Sequence, residues 1–163
     1  MEILRTPDEC FDNLEDYPFK PNYIDIEHHG QTLRMHYLDE NSESKEVVLL
    51  MHGEPTWSYL YRKIIPILVS NGKRVIAPDL IGFGKSDKPA SREYYSYANH
   101  ISWVEALLKK LDLKNIIFFA QDWGGLIGLR LLAKYPDLYD GLVVSNSGLP
   151  VGSGATEGFM QWL

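Results

Sequence analysis

A sharp junction between an apolar run and a helical pattern places one carboxylate, Asp122, where it could act as a nucleophile. The run from Ile116 to Ala120 predicts a buried strand, and the pattern that begins at Leu126 predicts a helix. A strand that turns this abruptly into a helix forces its central residue toward positive φ and points that side chain out of the sheet. The turn requires small residues on both sides, and Ala120 and Gly124 supply them. The segment therefore has the small-x-nucleophile-x-small pattern of a nucleophile elbow, with aspartate in place of the commoner serine.

The aspartate changes the reaction that such an elbow performs. A serine attacks acyl carbons, whereas a carboxylate displaces a leaving group from an alkyl carbon and becomes an alkyl ester on the protein. Water must then hydrolyse that ester. An aspartate in front of a helix is also a common helix cap, and the elbow pattern taken alone does not separate the two interpretations.

The composition limits the class of protein. The chain has 163 residues, of which 45% are hydrophobic and 23% are charged, and its formal net charge is -6. These values are typical of one globular domain. An acidic chain without basic runs is poorly suited to phosphate backbones, so we expect no nucleic-acid partner.

The sequence gives no signal for a membrane or for a cofactor. No apolar run reaches the length of about 18 residues that spans a bilayer, and no charged-then-apolar leader opens the chain. A single cysteine, Cys10, cannot form an internal disulfide, which fits a reducing compartment. We therefore expect a soluble, cytoplasmic protein with no membrane partner and no cofactor.

Three of the five histidines, His28, His29 and His36, fall on a predicted edge hairpin. We expect them to be surface residues, because isolated histidines on a solvated hairpin are seldom ligands. No spacing of cysteines and histidines indicates a metal site, so we expect no metal.

Strands and helices alternate along the rest of the chain. Residues 1–22 contain three prolines and predict an irregular arm, and the alternating residues 23–38 predict a hairpin. Four apolar runs predict buried parallel strands: Val47 to Met51, Arg74 to Pro78, Ile116 to Ala120 and Leu142 to Ser145. Helices are predicted between them, over residues 60–68, 97–111 and 126–135. The alternation predicts an α/β protein with a mostly parallel sheet flanked by helices.

Three motifs, in this order, resemble the haloalkane dehalogenases, a branch of the α/β-hydrolase fold. They are His-Gly-Glu-Pro-Thr-Trp-Ser-Tyr at 52–59, Asp-Leu-Ile-Gly-Phe-Gly-Lys-Ser-Asp-Lys-Pro at 79–89 and Gln-Asp-Trp-Gly-Gly at 121–125. The resemblance extends from Ile3 through essentially the whole chain, but members of the family are about twice as long. It implies that residues 23–150 are the N-terminal part of an α/β-hydrolase core and that residues 151–163 begin a cap region. The rest of the cap and the C-terminal strands are then absent from this chain, and the remaining C-terminal part of the same protein becomes a possible partner.

The resemblance also implies a reaction and the residues that perform it. Asp122 would attack the halogen-bearing carbon of a small haloalkane and release halide, and water would then free the alcohol. The backbone N–H groups of Glu54 and Trp123 would form the oxyanion hole. The indole N–H of Trp123 would bind the halide, although the alternative for this residue is a core aromatic. Glu54 marks a family branch in which a cap tryptophan gives the second halide contact, and Trp162 has the matching position unless it is an ordinary apolar helix residue.

The base that hydrolyses the ester is missing from the sequence. In this fold the acid and the histidine follow the nucleophile in chain order, and no histidine follows His100. We expect His52 to orient the oxyanion loop and His100 to lie on the surface, so neither is the predicted base. Trp57 and Trp103 are expected to be packing residues, with lining of the pocket as the alternative for Trp57.

Two other functions remain open from the sequence. An epoxide hydrolase shares the fold, the Asp-Trp elbow and the alkyl ester, but it usually has a large apolar residue where Glu54 stands and uses two cap tyrosines. A ligand-binding or single-turnover protein on the same scaffold would also lack the histidine base.

Overall fold

A mixed six-stranded sheet lies at the centre of the computed structural model, which describes residues 2–148. Its strands are β2 (Asn22–His28), β3 (Gln31–Glu40), β4 (Val47–Met51), β5 (Arg74–Pro78), β7 (Ile116–Gln121) and β8 (Tyr139–Ser145). Two short strands, β1 (Ile3–Leu4) and β6 (Lys88–Pro89), form a separate antiparallel pair. The predicted start of the cap at residue 151 and the predicted halide ligand Trp162 lie outside the described residues.

In the strand order β2-β3-β5-β4-β7-β8, the last four strands are parallel. β4 pairs in parallel with both β5 and β7, and β7 pairs in parallel with β8. β2 and β3 form an antiparallel hairpin, and β3 joins the parallel part through antiparallel pairing with β5. The four strands predicted to be parallel neighbours are therefore confirmed, and the strand that leads to Asp122 lies inside the sheet.

Within residues 2–148, three α-helices cover this sheet: α1 (Ile65–Ser70), α2 (Tyr97–Lys110) and α3 (Trp123–Lys134). Side chains of β4 alternate between two clusters: Leu49 contributes to the core formed with α2 and α3, and Leu50 packs with the core formed by α1. All five residues of β4 are buried, as the continuous apolar run predicts for a strand covered on both faces. The α/β expectation for the fold is thus confirmed.

The helix predicted over residues 60–68 is instead divided into two. A 3₁₀ turn covers Ser58–Tyr61, and α1 begins only at Ile65. Pro66 explains the division, because a proline is tolerated in the first turn of a helix but not in its interior. The restart at Ile65 places Pro66 in that first turn.

The prediction that residues 142–145 form a buried strand is wrong about burial. β8 exists, but Leu142, Val143 and Val144 are 46%, 47% and 36% exposed. β8 is the outermost strand of the sheet within residues 2–148, so these apolar side chains lack the cover that central strands have.

The prediction that all three hairpin histidines lie on the surface is also wrong. Only His29, at the turn, is exposed, whereas His28 is nearly buried and His36 is fully buried. α2 packs against β2, and the imidazole of His28 contacts Trp103 with ring centroids 5.1 Å apart. Because side chains alternate along a strand, one face of the hairpin is turned toward this core.

Within residues 2–148, no helix combines the length and the apolar character needed to cross a membrane.

Candidate active site

Asp122 occupies a strained backbone conformation between β7 and α3. Its φ is 54° and its ψ is -128°, which is an unfavourable region for any residue with a Cβ. The side chain makes no capping hydrogen bond to α3, so the structure excludes the helix-cap interpretation. Instead, Oδ1 of Asp122 accepts a hydrogen bond from the backbone N–H of Glu54, with an N–O distance of 2.9 Å.

Two glycines make room for this conformation. A Cβ at Gly124 would overlap the backbone carbonyl oxygens of Met51 and His52, at the end of the neighbouring strand. A Cβ at Gly53 would overlap the carboxylate of Asp122 itself. The sequence pattern identifies Gly124 as a required small residue, but the need for Gly53 depends on a contact between segments far apart in the chain.

The Gly53–Glu54 peptide is fixed from its carbonyl side. The carbonyl oxygen of Gly53 accepts hydrogen bonds from Nδ1 of His52 at 2.9 Å and from both the backbone N–H and the hydroxyl of Thr56 at 3.0 Å. Because a planar trans peptide places its N–H opposite its C=O, these three bonds also aim the N–H of Glu54. The donor that reaches Asp122 is therefore oriented before any ligand arrives.

His52 is a neutral imidazole whose two ring nitrogens both make hydrogen bonds. Its Nδ1 must carry the hydrogen, because the partner is a carbonyl, and its Nε2 accepts the backbone N–H of Leu80 at 2.9 Å. Burial lowers the pKa of His52. The ring thus ties the segment after β4 to the segment after β5 and has no free nitrogen for proton transfer, in line with the expected orienting role.

Ser147 holds the backbone of the elbow. Its hydroxyl donates a hydrogen bond to the carbonyl oxygen of Asp122 at 2.7 Å, and a Cβ at Gly125 would overlap the Ser147 side chain. Ser147 was not predicted from the sequence, because a serine after a short strand has no distinguishing pattern.

Trp123 lies beside a cavity of about 370 Å³ and is not a core aromatic, since 42% of the residue is exposed. Its backbone N–H, at the first position of α3, has no acceptor within the helix. The cavity is lined by Gly53, Glu54, Leu80, Gly82, Phe83, Tyr95, Ser96, Tyr97, His100, Trp123 and Ile127. The two predicted oxyanion residues thus lie together at its wall.

The expectation that His100 is a surface residue is wrong. It lines the cavity, and its ring contacts Trp103 with centroids 5.0 Å apart. Residues three apart share one face of a helix, so α2 turns both rings toward the interior. Burial, with a smaller effect of His52, lowers the pKa of His100 to about 4, which makes it neutral at pH 7.

Asp79 is a second carboxylate near the site, and it is fully buried. It accepts hydrogen bonds from the backbone N–H groups of Ser58 and Lys85 and pairs with Nδ1 of His36, each at 2.8 Å. Burial alone would raise its pKa, but the hydrogen bond and charge of His36 and the N–H of Lys85 together lower it below the usual value. Asp79 thus fixes the two loops beside the cavity, a role that the motif it belongs to did not predict.

The expected roles of the remaining tryptophans fit their surroundings. Trp103 is 1% exposed, and Trp57 packs against Phe11, Tyr17 and Tyr59. Among the described residues, no group of three or more His, Cys, Asp or Glu side chains could hold a metal ion.

Comparisons with known proteins agree with this geometry. A haloalkane dehalogenase of Psychrobacter cryohalolentis is 55% identical over 164 residues, an alignment that covers 99% of this chain and 54% of the relative. A solved haloalkane dehalogenase of Paraglaciecola agarilytica superposes with a TM-score of 0.93 at 44% identity, covering 99% of this chain and 55% of that one. An epoxide hydrolase of Vigna radiata is more distant, with a TM-score of 0.71 at 28% identity, covering 86% of this chain and 45% of that one.

The chain spans about half the length of the curated relatives it matches. The resemblance to haloalkane dehalogenases expected from the three motifs is confirmed at the level of sequence and structure. The family model for the alpha/beta hydrolase fold matches residues 46–162. This chain therefore belongs to the α/β-hydrolase fold family.

Proposed function

We propose that this chain supplies the nucleophile, the halide contact and the oxyanion hole of a haloalkane dehalogenase. The observation that carries the proposal is the conformation of Asp122: its strained backbone holds the carboxylate against Gly53 and Glu54 of the cavity wall, where Oδ1 accepts the N–H of Glu54 and makes no helix cap. Proteins maintain such strain where it serves a function. The similarity to haloalkane dehalogenases over 99% of the chain supports the same reaction.

The two carboxylate oxygens of Asp122 have different roles in the proposed reaction. Oδ1 is engaged by the N–H of Glu54, so Oδ2 attacks the halogen-bearing carbon. A C–O bond forms as the C–halogen bond breaks, and the halide leaves with the bonding electron pair. The protein is left with a neutral alkyl ester at Asp122.

The departing halide is a large, weakly basic anion, so it needs N–H donors more than it needs an acid. The indole of Trp123, beside the nucleophile and at the cavity wall, supplies one donor. Trp162 is proposed as the second halide ligand from the motif resemblance alone, because it lies outside the described residues.

Hydrolysis of the ester returns Asp122 to its carboxylate form. Water adds to the ester carbonyl, and the negative charge on Oδ1 is stabilised by the backbone N–H groups of Glu54 and Trp123. The products are an alcohol, the carboxylate and one proton. We propose that the acid and base for this step come from the remaining C-terminal part of the same protein, since His52 has both ring nitrogens occupied and the pKa of His100 lies too low, at about 4, for an efficient base near neutral pH. The cytoplasmic location expected from the single cysteine, Cys10, belongs to the same proposal.

Bromide release from 1-bromobutane tests the attack separately from turnover. We expect a burst of at most one bromide per chain from the 163-residue protein, and no burst from Asp122→Asn at early times, before slow deamidation can regenerate the carboxylate. Asp112→Asn is a matched control, because Asp112 also has positive φ and its side chain is exposed. Trp123→Phe removes the halide donor and should slow the burst about 100-fold.

Added mass on the chain distinguishes the competing functions, because attack on an epoxide opens the ring and releases no leaving group. A hydroxybutyl ester on Asp122 after incubation with 1,2-epoxybutane, with neither a butyl ester nor bromide release from 1-bromobutane, would indicate an epoxide hydrolase. Equal bromide release from the wild-type chain and from Asp122→Asn would contradict the proposal.

A further inference from the structure

The N-terminal arm, residues 2–21, contacts both loops that form the cavity wall. One is the oxyanion loop, residues 52–61, which contributes Gly53 and Glu54 to the cavity. The other is the glycine-rich loop, residues 79–89, which contributes Leu80, Gly82 and Phe83. Arg5 and β1 contact the glycine-rich loop, and Tyr17 contacts the oxyanion loop. The rings of Phe11 and Tyr17 also lie 5.0 and 6.0 Å from Nζ of Lys85 in the glycine-rich loop. The proposed catalytic residues are not among these contacts.

The first attachment joins the arm to the glycine-rich loop. β1 pairs with β6, and the guanidinium of Arg5 donates to both carboxylate oxygens of Asp87, with N–O distances of 2.5 and 3.0 Å. The Asp87 side chain is fully buried, whereas that of Arg5 is 53% exposed. The arginine of the arm thus supplies the counter-charge for a carboxylate that has no contact with solvent. Such two-pronged pairs fix geometry as well as charge.

Asp87 connects this attachment to the cavity wall. Its carboxylate also accepts the backbone N–H of Arg34 at 2.8 Å, and its own carbonyl oxygen accepts the N–H of Gly82 at 2.9 Å. Gly82, at φ +100°, begins the turn that presents Phe83 to the cavity. The position of the Asp87 backbone therefore sets the position of this wall.

The second attachment joins the arm to the oxyanion loop. The hydroxyl of Tyr17 shares a 2.7 Å hydrogen bond with the hydroxyl of Ser58, and its ring packs against Trp57 and Tyr59 at centroid distances of 5.2 and 5.5 Å. Ser58 is buried, and its backbone N–H donates to Asp79. Tyr17 therefore reaches the buried centre of the loop, four residues after Glu54.

Asp79 connects the two loops that the arm contacts. Its Oδ1 receives Ser58 of the oxyanion loop, and its Oδ2 receives Lys85 of the glycine-rich loop. The loops are thus joined to each other at a buried carboxylate and to the arm on both sides of that carboxylate. A loop that is held by contacts at two points has fewer accessible positions than a loop held at one point.

We propose that the N-terminal arm is a strap that keeps the oxyanion loop and the glycine-rich loop at the spacing that forms the cavity, with Arg5 and Tyr17 as its positioning residues. The effect of the strap on the rate of alkylation rests on the function proposed above, whereas its effect on the two loops does not. Neither Arg5 nor Tyr17 is among the cavity-lining residues of the described chain.

Two conservative substitutions test the strap without removing a buried charge or a large side chain. Arg5→Lys keeps the positive charge beside Asp87 but loses the forked geometry, and Tyr17→Phe removes only the hydroxyl that meets Ser58. Asp16→Asn is the matched control, because it removes an exposed ion pair with Lys63, 3.8 Å apart, from the same arm. Asparagine also tolerates the positive φ of residue 16.

Two measurements test the strap: hydrogen exchange followed by mass spectrometry, and the initial rate of bromide release. In Arg5→Lys we expect the amides of residues 79–89 to exchange about tenfold faster, and in Tyr17→Phe we expect the same of the amides of residues 52–61. The exchange rates of β4 and β7 should not change in either variant. The bromide burst should slow about tenfold in the double variant, less than the ~100-fold that a misplacement of about 1 Å can cost. Asp16→Asn should match the wild type in both measurements.

Three results would overturn the strap: unchanged exchange in both loops, faster exchange spread evenly over the sheet, or faster loop exchange with an unchanged bromide burst. If the wild-type chain releases no bromide at all, the proposed function fails, and the exchange pattern alone still decides whether the arm holds the loops.

Discussion

The backbone N–H of Glu54 lies 2.9 Å from Oδ1 of Asp122, although 68 residues separate them in the chain. The pairing exists because β4 and β7 are parallel neighbours, with Met51 aligned to Ala120, so that the segments leaving both strands emerge at the same edge of the sheet. Parallel α/β sheets place ligand sites at this edge. The contact fixes the orientation of the carboxylate before a substrate binds.

Thr56→Val should weaken this arrangement without changing the fold. The substitution removes one of the three hydrogen bonds to the Gly53 carbonyl, keeps the side-chain shape and leaves the Thr56 N–H in place. A net loss of about 1 kcal/mol corresponds to a roughly fivefold slower bromide burst. Thr32→Val is the control, since the Thr32 hydroxyl donates to Glu27 on the solvent-exposed face of the hairpin. Equal rates in wild type and Thr56→Val would mean that the hydroxyl does not orient the oxyanion peptide.

Gly124→Ala should destabilise the protein, because the new methyl group would overlap the carbonyl oxygens of Met51 and His52. We expect the free energy of unfolding to fall by about 1–3 kcal/mol, measured by urea denaturation. Gly141→Ala serves as the control, since its Cβ would lie 3.8 Å from Ile117, an ordinary contact. If both alanines cost the same, the close approach at the elbow is not required.

Acid should destabilise the fold through His100. Its pKa is lowered to about 4 by burial, so the unfolded chain, with a pKa of about 6.5, binds a proton that the folded protein does not. The contribution of His100 to the free energy of unfolding is therefore fully present above pH 6.5 and is lost as the pH drops toward 4. The loss from this residue is at most about 3 kcal/mol.

His100→Phe should lack this part of the pH dependence. The pKa values of His28 and His52 are also lowered by burial and act in the same direction, but both residues remain in the variant. We compare the free energy of unfolding of the wild type and of His100→Phe as a function of pH from 4 to 6.5, and the difference between the two plots isolates His100. Parallel plots would show that His100 is not buried as a neutral group.

Much of the fold could be predicted because its signals are local. A continuous apolar run identified β4, and the change from an apolar run to a helical pattern identified the elbow at Asp122. Pro66 was a local signal too, and taking it into account would have divided the helix predicted over residues 60–68.

The missed features depend on contacts between distant segments. Gly53 is required because Asp122 approaches it, and Ser147 matters because its hydroxyl, two residues after β8, donates to the carbonyl oxygen of Asp122. The face of α2 that carries His100 is chosen by packing against the sheet, which a single helical pattern does not specify. The exposure of Val143 likewise follows from the position of β8 at the edge of the described sheet.

Mass spectrometry of the chain after incubation with 1-bromobutane tests the central proposal most directly, because an alkyl ester on Asp122 is the intermediate that defines the reaction. The proposed attack predicts a single butyl group per chain, which peptide mapping places on Asp122 and which Asp122→Asn does not acquire at early times. Asp112→Asn should be labelled like the wild type. A chain that stays unmodified while releasing no bromide, or a butyl group located on any residue other than Asp122, would contradict the assignment of Asp122 as the nucleophile.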